Sequence, residues 1–251
     1  MRAPVLLVFA LGCKAEKLGV HLPPTGIDAV NLEDLQRDVF ALGGPAAAPR
    51  GAGEAGAAAG AAWVEQRLSQ MSLVPAYGRA WQQPMGDGRA LVCGQRDGQS
   101  DDAIAILALD SGAGAAHGAV PLTALIALAK SFTGPQKPAY TLLFCAVPQP
   151  GGLDAYAATP PIPLDRTVGV YTLGPFADGQ LRTAEAPPLG PAPRVSLSTA
   201  KVPDAGPADR AEAVDFRRLL DRVRQVRVWV ARPPGAPPPG APERESSAPR
   251  R

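Results

Sequence analysis

Apolar runs alternate with amphipathic segments along most of the chain. Three runs, ALVCG, AYTLLFCAV and RTVGVYTLG, have the nearly continuous apolar character of strands that are covered on both faces. Segments with apolar residues at helical spacing lie before and between them. This alternation predicts an α/β fold with a mainly parallel sheet.

Four segments are predicted to be helices. NLEDLQRDVFALGG begins with Asn31 as a cap and ends at two glycines, and AAWVEQRLSQMSL follows an Ala/Gly-rich loop. Pro121 fits the first turn of a third helix through Lys130. The last is AEAVDFRRLLDRVRQVRVWVA, which turns valines and Leu219 inward and five arginines outward. We interpret that arginine set as a solvated face.

The segment DDAIAILALDSG fits either a strand or a short helix. If it is a helix, Asp101 or Asp102 is placed to cap it. Both interpretations stay open at this point.

Composition narrows the function classes. A chain of 251 residues suits one sizeable domain, and its formal net charge of +2 gives no case for a nucleic-acid partner. Its two histidines, His21 and His117, limit any histidine-based chemistry. No CxxC spacing, no Gly-x-Ser-x-Gly elbow and no phosphate loop occurs.

The N-terminus predicts an exported lipoprotein. Arg2 precedes an apolar run from Ala3 to Leu11, and Gly12-Cys13 follows like a bacterial lipobox. The run is too short to span a bilayer as a helix. Lys14 is not the aspartate that retains such proteins at the inner membrane, which favours the outer membrane facing the periplasm. The alternative is a buried N-terminal strand with a core cysteine.

The predicted organisation has four parts. Residues 1–13 form the signal peptide, 14–26 a tether, 27–230 the folded domain, and 231–251 a disordered Pro-rich tail. Cys93 and Cys145 each lie in an apolar run, where we favour buried structural thiols. A disulfide is the alternative if their strands are neighbours in an oxidising compartment.

Taken in order, the segments resemble peptidase family M-28, the di-zinc aminopeptidases and their relatives. The resemblance covers roughly residues 27–230 and rests on six pieces: LQRDVFALGG with the Arg-Gly loop and second helix after it, ALVCGQRDG, GAAHGAVPLTALIALAKSF, TLLFCAVPQPGGLDAY, PLDRTVGVYTLGP, and VPDAGPADRAEAVDF. It implies a three-layer α/β/α sandwich around a mixed, mainly parallel sheet. It also implies that Pro175–Asp209 replaces strands that finish the family's sheet, so we expect an incomplete edge there.

The family's zinc chemistry needs two histidines, three carboxylates and a glutamate base. Carried over by position, this sequence retains none of them. The family's positions fall on Arg96, Ala116, Gln149, Pro150, Gly174 and Gly206. A guanidinium at Arg96 would repel a nearby cation. The resemblance therefore implies no catalytic residue, no bound metal and no other cofactor, although zinc is expected for the family.

His117 lies beside the lost bridging position, Ala116. We expect a partly exposed loop or helix-start residue there. The alternative is a rebuilt one-metal site, because aspartates lie nearby in sequence at 97, 101, 102 and 110. One histidine with loop carboxylates is a poor zinc shell.

Three functions stay open. The leading one is an inactive aminopeptidase homologue with a binding or scaffolding role, for which the partner is a peptide or an envelope protein. The second is a residual or altered hydrolase that uses His117 with Asp97 or Asp110. The third is a purely structural lipoprotein.

The lipobox interpretation predicts that Cys13→Ser releases the protein from bacterial membranes, because the thiol that would carry the lipid is lost. Fractionation of expressing cells measures this, with the wild-type chain in the pellet as the control. If the variant stays membrane-bound at wild-type levels, the lipobox interpretation is wrong.

Overall fold

An eight-stranded mixed sheet forms the centre of the fold. The structure is a computed structural model and describes residues 26–176, 180–199 and 209–231. Within these residues the longer helices are α1 (Leu32–Gly43), α2 (Ala55–Ser69), α3 (Val120–Ser131), α4 (Gly152–Ala158) and α5 (Phe216–Val230). The strands are β1 (Val74–Pro75), β2 (Gln82–Pro84), β3 (Ala90–Arg96), β4 (Ser100–Asp110), β5 (Tyr140–Pro148), β6 (Thr167–Leu173), β7 (Leu181–Leu189) and β8 (Ala192–Thr199).

The strand order is β1-β3-β5-β4-β6-β8-β7, and β2 also pairs with β3. The four central strands β5, β4, β6 and β8 are parallel. The strands β3 and β7 run antiparallel to their neighbours at either side. The parallel block brings the carboxyl ends of its strands to one edge, which is where such sheets usually bind ligands.

Helices cover both faces of the sheet. On β4, Ile104 and Ile106 pack into the cluster that contains the buried residues of α1, α2, α3 and α5. Leu107 points to the other face, where it joins a cluster with Tyr156 of α4. The alternation along β4 therefore separates two apolar layers, and the predicted three-layer α/β/α sandwich is confirmed.

The helix predictions hold with shifted ends. Asn31 caps α1, because its side-chain oxygen accepts a hydrogen bond from the Asp34 N–H at 2.8 Å. Helix α2 begins at Ala55, inside the stretch predicted to be loop. Alanine has the highest helix propensity, so this Ala-rich stretch extends the helix backwards. Helix α5 begins only at Phe216, where the Asp215 side chain accepts from two backbone N–H groups.

Two segments differ from expectation. DDAIAILALD belongs to strand β4. Asp101 and Asp102 lie near its start, where the register with β5 shifts, and not at a helix cap. The predicted incomplete edge is wrong, because β7 and β8 form an antiparallel hairpin that finishes the sheet. Prolines 187 and 188 are tolerated there because β7 is an edge strand and the register shifts beside them.

Cys93 and Cys145 form a disulfide, so the favoured interpretation as free thiols is wrong for this structure. They lie directly opposite each other on β3 and β5, and both are fully buried. Their strands are sequentially distant, which is why sequence alone left the pairing open.

The predicted signal peptide (1–13), tether (14–26) and tail (231–251) lie almost wholly outside the described residues, and so do Cys13, His21 and Gly206. Within the described ranges, the structure has no helix that is both long and apolar enough to cross a membrane.

Candidate functional site

The candidate site lies at the carboxyl edge of the parallel strands. β4 ends there at Asp110, β5 at Pro148 and β6 at Leu173. A glycine-rich loop follows β4 and leads through a π-helical turn, Ala115–Ala119, into α3. His117 lies in that turn, as expected for a helix-start residue.

The loop needs glycine because other groups approach its backbone closely. Gly114 has φ +69°, and a Cβ there would lie 2.0 Å from Oδ2 of Asp209. Gly112 has φ +80°, and a Cβ there would lie 2.9 Å from the Gly51 nitrogen. Both positions combine a left-handed backbone with no room for a side chain.

Asp209 fills the space beside this loop. Its carboxylate, 2% exposed, accepts hydrogen bonds at Oδ1 from the N–H groups of Ala115 at 3.0 Å and Ala116 at 2.6 Å. Its Oδ2 lies 3.0 Å from Nδ1 of His117. The carboxylate thus caps the start of the turn, in the place where the helix amides need an acceptor.

The pair orients the imidazole. An ionised carboxylate only accepts, so Nδ1 of His117 carries the proton towards Asp209 and leaves Nε2 for an outside partner. The His117 side chain is 22% exposed. The carboxylate that contacts His117 is therefore Asp209, and not Asp97 or Asp110, the two residues considered from sequence.

A buried ion pair lies on the other side of the loop. Arg50 donates from Nε to Oδ2 of Asp110 at 2.9 Å and from Nη2 to Oδ1 at 3.2 Å. Its Nη1 donates to the carbonyls of Leu42 and Ala47. Both side chains are nearly inaccessible, at 2% and 8% exposed. Asp110 also accepts from the Gly112 N–H at 2.9 Å, so both of its oxygens are occupied.

Gln149 and Gly174 join this edge through backbone contacts. The Gln149 N–H donates to the Asp110 carbonyl at 2.7 Å, and the Gly174 N–H donates to the Leu197 carbonyl at 2.8 Å. Pro150 follows Gln149 directly after β5. The buried Nε2 of Gln149 has no hydrogen-bond partner among the described residues.

Arg96 does not lie at the carboxyl edge of the parallel strands. β3 runs antiparallel to β5 and pairs Arg96 with Leu142, near the start of β5, so Arg96 lies at the opposite end of the sheet. Its guanidinium donates there to the carbonyls of Ser72 and Gly134. Asp97 follows it at the same remote end. The expectation that Arg96 faces the site is therefore wrong, and the strand that enters the site loop is β4.

The described residues at this edge do not fit a zinc site. Nowhere in the described ranges do three or more histidine, cysteine, aspartate or glutamate side chains gather as possible ligands. The two buried carboxylates, Asp110 and Asp209, already bind donors of the chain itself. Ala116, buried in the turn, offers no ligand.

A small cavity lies beside the Arg50–Asp110 pair. Its volume is about 20 Å³, enough for a single water molecule. Its walls come mainly from α2, β3 and the ends of β4 and β5. A cavity of this size does not hold a peptide or an amino acid.

Two residues of this site, Arg50 and Asp209, were not found from sequence as partners. Arg50 lies in an Ala/Gly-rich loop 60 residues from Asp110, and Asp209 lies 92 residues from His117. Arg50 is the one basic residue of the Ala/Gly-rich stretch 45–60, and that was the available signal for it, whereas Asp209 adjoins Arg210 and carries no comparable signal.

Comparison with solved structures places the fold among zinc peptidases. The chain resembles a leucine aminopeptidase precursor from Bacteroides thetaiotaomicron at TM-score 0.65 and 11% identity, covering 84% of this chain and 99% of that one. It resembles a Zn-dependent exopeptidase from Parabacteroides distasonis at TM-score 0.62 and 11% identity, covering 84% and 100%. It also resembles glutaminyl cyclase from B. thetaiotaomicron at TM-score 0.61 and 10% identity, covering 84% and 100%.

Longer relatives exist as well: the chain spans about half (49%) of an aminopeptidase from Aneurinibacillus sp. strain AM-1. No protein-family model and no curated protein matches the sequence. The structural likeness confirms the peptidase M-28-like fold that the segment order predicts.

Removing Arg50 should destabilise the fold strongly. Arg50→Met leaves the Asp110 carboxylate buried without its counter-charge, so we expect the free energy of unfolding to fall by about 3–5 kcal/mol. Urea denaturation measures the change. Arg50→Met combined with Asp110→Asn should recover part of the loss, since the uncompensated charge is gone. Arg166→Met, at an exposed pair, is the control and should cost less than about 1 kcal/mol. Equal losses for Arg50→Met and the control would contradict the assignment.

Removing the Asp209 carboxylate should separate its capping role from its charge. Asp209→Ala deprives two buried amides of their acceptor and should lower the free energy of unfolding by about 2–4 kcal/mol. Asp209→Asn keeps an oxygen for those amides and should lose clearly less. Thermal unfolding of the two variants beside Asp165→Ala, an exposed control, measures this. Identical losses for the Ala and Asn variants would mean that the amides are not what Asp209 serves.

Proposed function

We propose that this chain is a catalytically inactive relative of the di-zinc aminopeptidases with a binding or scaffolding role in the bacterial envelope. The observation that carries the proposal is the occupation of both buried carboxylates at the site edge. Asp110 is bound by Arg50, and Asp209 by two backbone amides and His117. To ligate a metal, each would have to give up bonds that hold the loop in place.

The binding role is proposed for the cleft at the carboxyl edge of the parallel strands, which is where such sheets usually bind ligands. The partner in this proposal is a peptide or an envelope protein, and nucleic acid is not one.

The location in the envelope is part of the same proposal and rests on the N-terminal sequence. Arg2, the apolar run to Leu11, and Gly12-Cys13 have the order of a lipoprotein signal. The Cys93–Cys145 disulfide adds support, because disulfides persist in oxidising compartments such as the periplasm. Outer-membrane anchoring through Cys13 is the proposed arrangement.

A second candidate is a residual hydrolase, and the His117–Asp209 pair favours it. A carboxylate that fixes Nδ1 leaves Nε2 as a base, and the imidazole is partly exposed. Asp209 replaces the aspartates at 97 and 110 as its partner in this candidate. A purely structural lipoprotein is the remaining alternative and differs from the leading proposal in having no partner.

Zinc titration of the metal-stripped protein, followed by calorimetry, tests the proposal. We expect no stoichiometric zinc binding and no release of amino acids from aminoacyl anilides or of cyclised product from glutaminyl peptides. A zinc aminopeptidase of the same fold, stripped and reloaded in parallel, is the positive control. Tight binding of one or two equivalents with peptidase activity would overturn the proposal. Activity without zinc that disappears in His117→Ala would favour the residual hydrolase instead.

A further inference from the structure

The exposed face of α5 is strongly basic. With its cap, the helix carries five arginines against Asp215 and Asp221, a net charge of +3. Its buried side, formed by leucine and valine residues from Leu219 to Val230, packs on α1 and α3. The opposite side faces away from the core.

Three of the arginines are exposed on that side, and they define the arginine face: Arg217, Arg218 and Arg224. Arg222 is half-buried on its flank. Arg227 turns inward and lies over the Phe132 ring at 5.1 Å, so it belongs to the packing and not to the face. The interpretation of all five arginines as one solvated set is therefore too coarse.

The acids of α5 neutralise this face only weakly. Asp215 pairs with Arg218 at 3.2 Å and Asp221 with Arg224 at 3.8 Å, and all four side chains are about half exposed. Exposed pairs of this kind contribute little and are readily exchanged for another anion. Whatever pairs form within it, the helix with its cap keeps a formal net charge of +3.

An apolar side chain lies within the same face. Val228 is 46% exposed and lies one turn after Arg224, in line with Arg217. A single exposed aliphatic side chain is ordinary on a protein surface, so Val228 is compatible with lipid contact while the arginines carry the argument.

The first described residue after the predicted tether lies close to α5. A Cβ on Gly26 would be 3.4 Å from Nη2 of Arg227, on the flank of the helix. Residues 14–25 separate Gly26 from Cys13, and twelve residues span at most about 40 Å when extended. The length of the chain therefore allows an anchor at Cys13 and the arginine face to reach one membrane surface.

We infer that the arginine face of α5 docks onto the anionic headgroups of the membrane that holds the protein. The inference rests on the proposed envelope location and adds an orientation of the domain on the membrane. In this orientation α5 faces the lipid, and the carboxyl edge of the sheet keeps a defined direction relative to the membrane surface. A basic patch near an anionic leaflet adds electrostatic attraction to whatever a lipid anchor supplies, so the two contacts support each other.

Vesicle co-sedimentation tests this with the full chain carrying Cys13→Ser, which cannot be acylated. Vesicles of phosphatidylcholine alone are compared with vesicles that also contain phosphatidylglycerol. We expect weak binding that is tighter to the anionic vesicles at low salt and is lost as the salt is raised, so that without its lipid this variant still leaves cell membranes. Replacing Arg217, Arg218 and Arg224 by glutamine should weaken the anionic binding by about tenfold or more. The same three positions changed to lysine should retain it.

The matched control removes equal charge elsewhere, by changing the exposed residues Arg79, Arg166 and Arg182 to glutamine. It should bind as the parent does. Binding that is independent of phosphatidylglycerol, or that falls equally in both glutamine variants, overturns the inference. Binding of an acidic envelope protein that needs the arginine face, with no vesicle binding, overturns it too. Neither result depends on zinc or peptidase activity, so failure here is distinct from failure of the proposed function.

Discussion

The Arg50–Asp110 pair is the contact on which the arrangement of the site edge depends. One guanidinium reaches the end of β4, the end of α1 at Leu42 and the loop carbonyl of Ala47. It thereby joins the end of β4 to the end of α1 and the adjoining loop, 60 residues away in sequence, inside a region from which water is almost excluded. A buried pair of this kind contributes less to net stability than to uniqueness, because any other arrangement leaves a charge unpaired.

The Asp209 carboxylate fixes the opposite side of the loop by accepting hydrogen bonds from its backbone. In a di-zinc enzyme, metal ions would tie together the loops that follow neighbouring strands. Here two carboxylates, each saturated by donors of the chain, hold the same loops through Arg50 on one side and the Ala115 and Ala116 amides on the other. The loop therefore keeps its shape through hydrogen bonds within the chain.

Much of the fold could be predicted from sequence because its signals are local. The buried strands read as apolar runs, α1 shows its cap at Asn31, and α3 its proline in the first turn. The hairpin of β7 and β8 could not be predicted, because its prolines argue against strands unless the edge position is known. The partners of Arg50 and His117 could not be found because their contacts cross 60 and 92 residues. Arg96 was expected at the site because the direction of an apolar strand within the sheet cannot be read from its sequence, and β3 runs antiparallel to β5.

The close approach of Asp209 to the Gly114–Ala116 backbone limits which side chains this turn can accept. Ala116 is buried, and its backbone nitrogen lies 2.6 Å from Oδ1 of Asp209. A second carboxylate introduced at position 116 would share this buried space with the first, and two like charges there oppose each other. The turn is therefore closed to a new acidic side chain for as long as Asp209 keeps its place, and a small neutral residue is what the space tolerates.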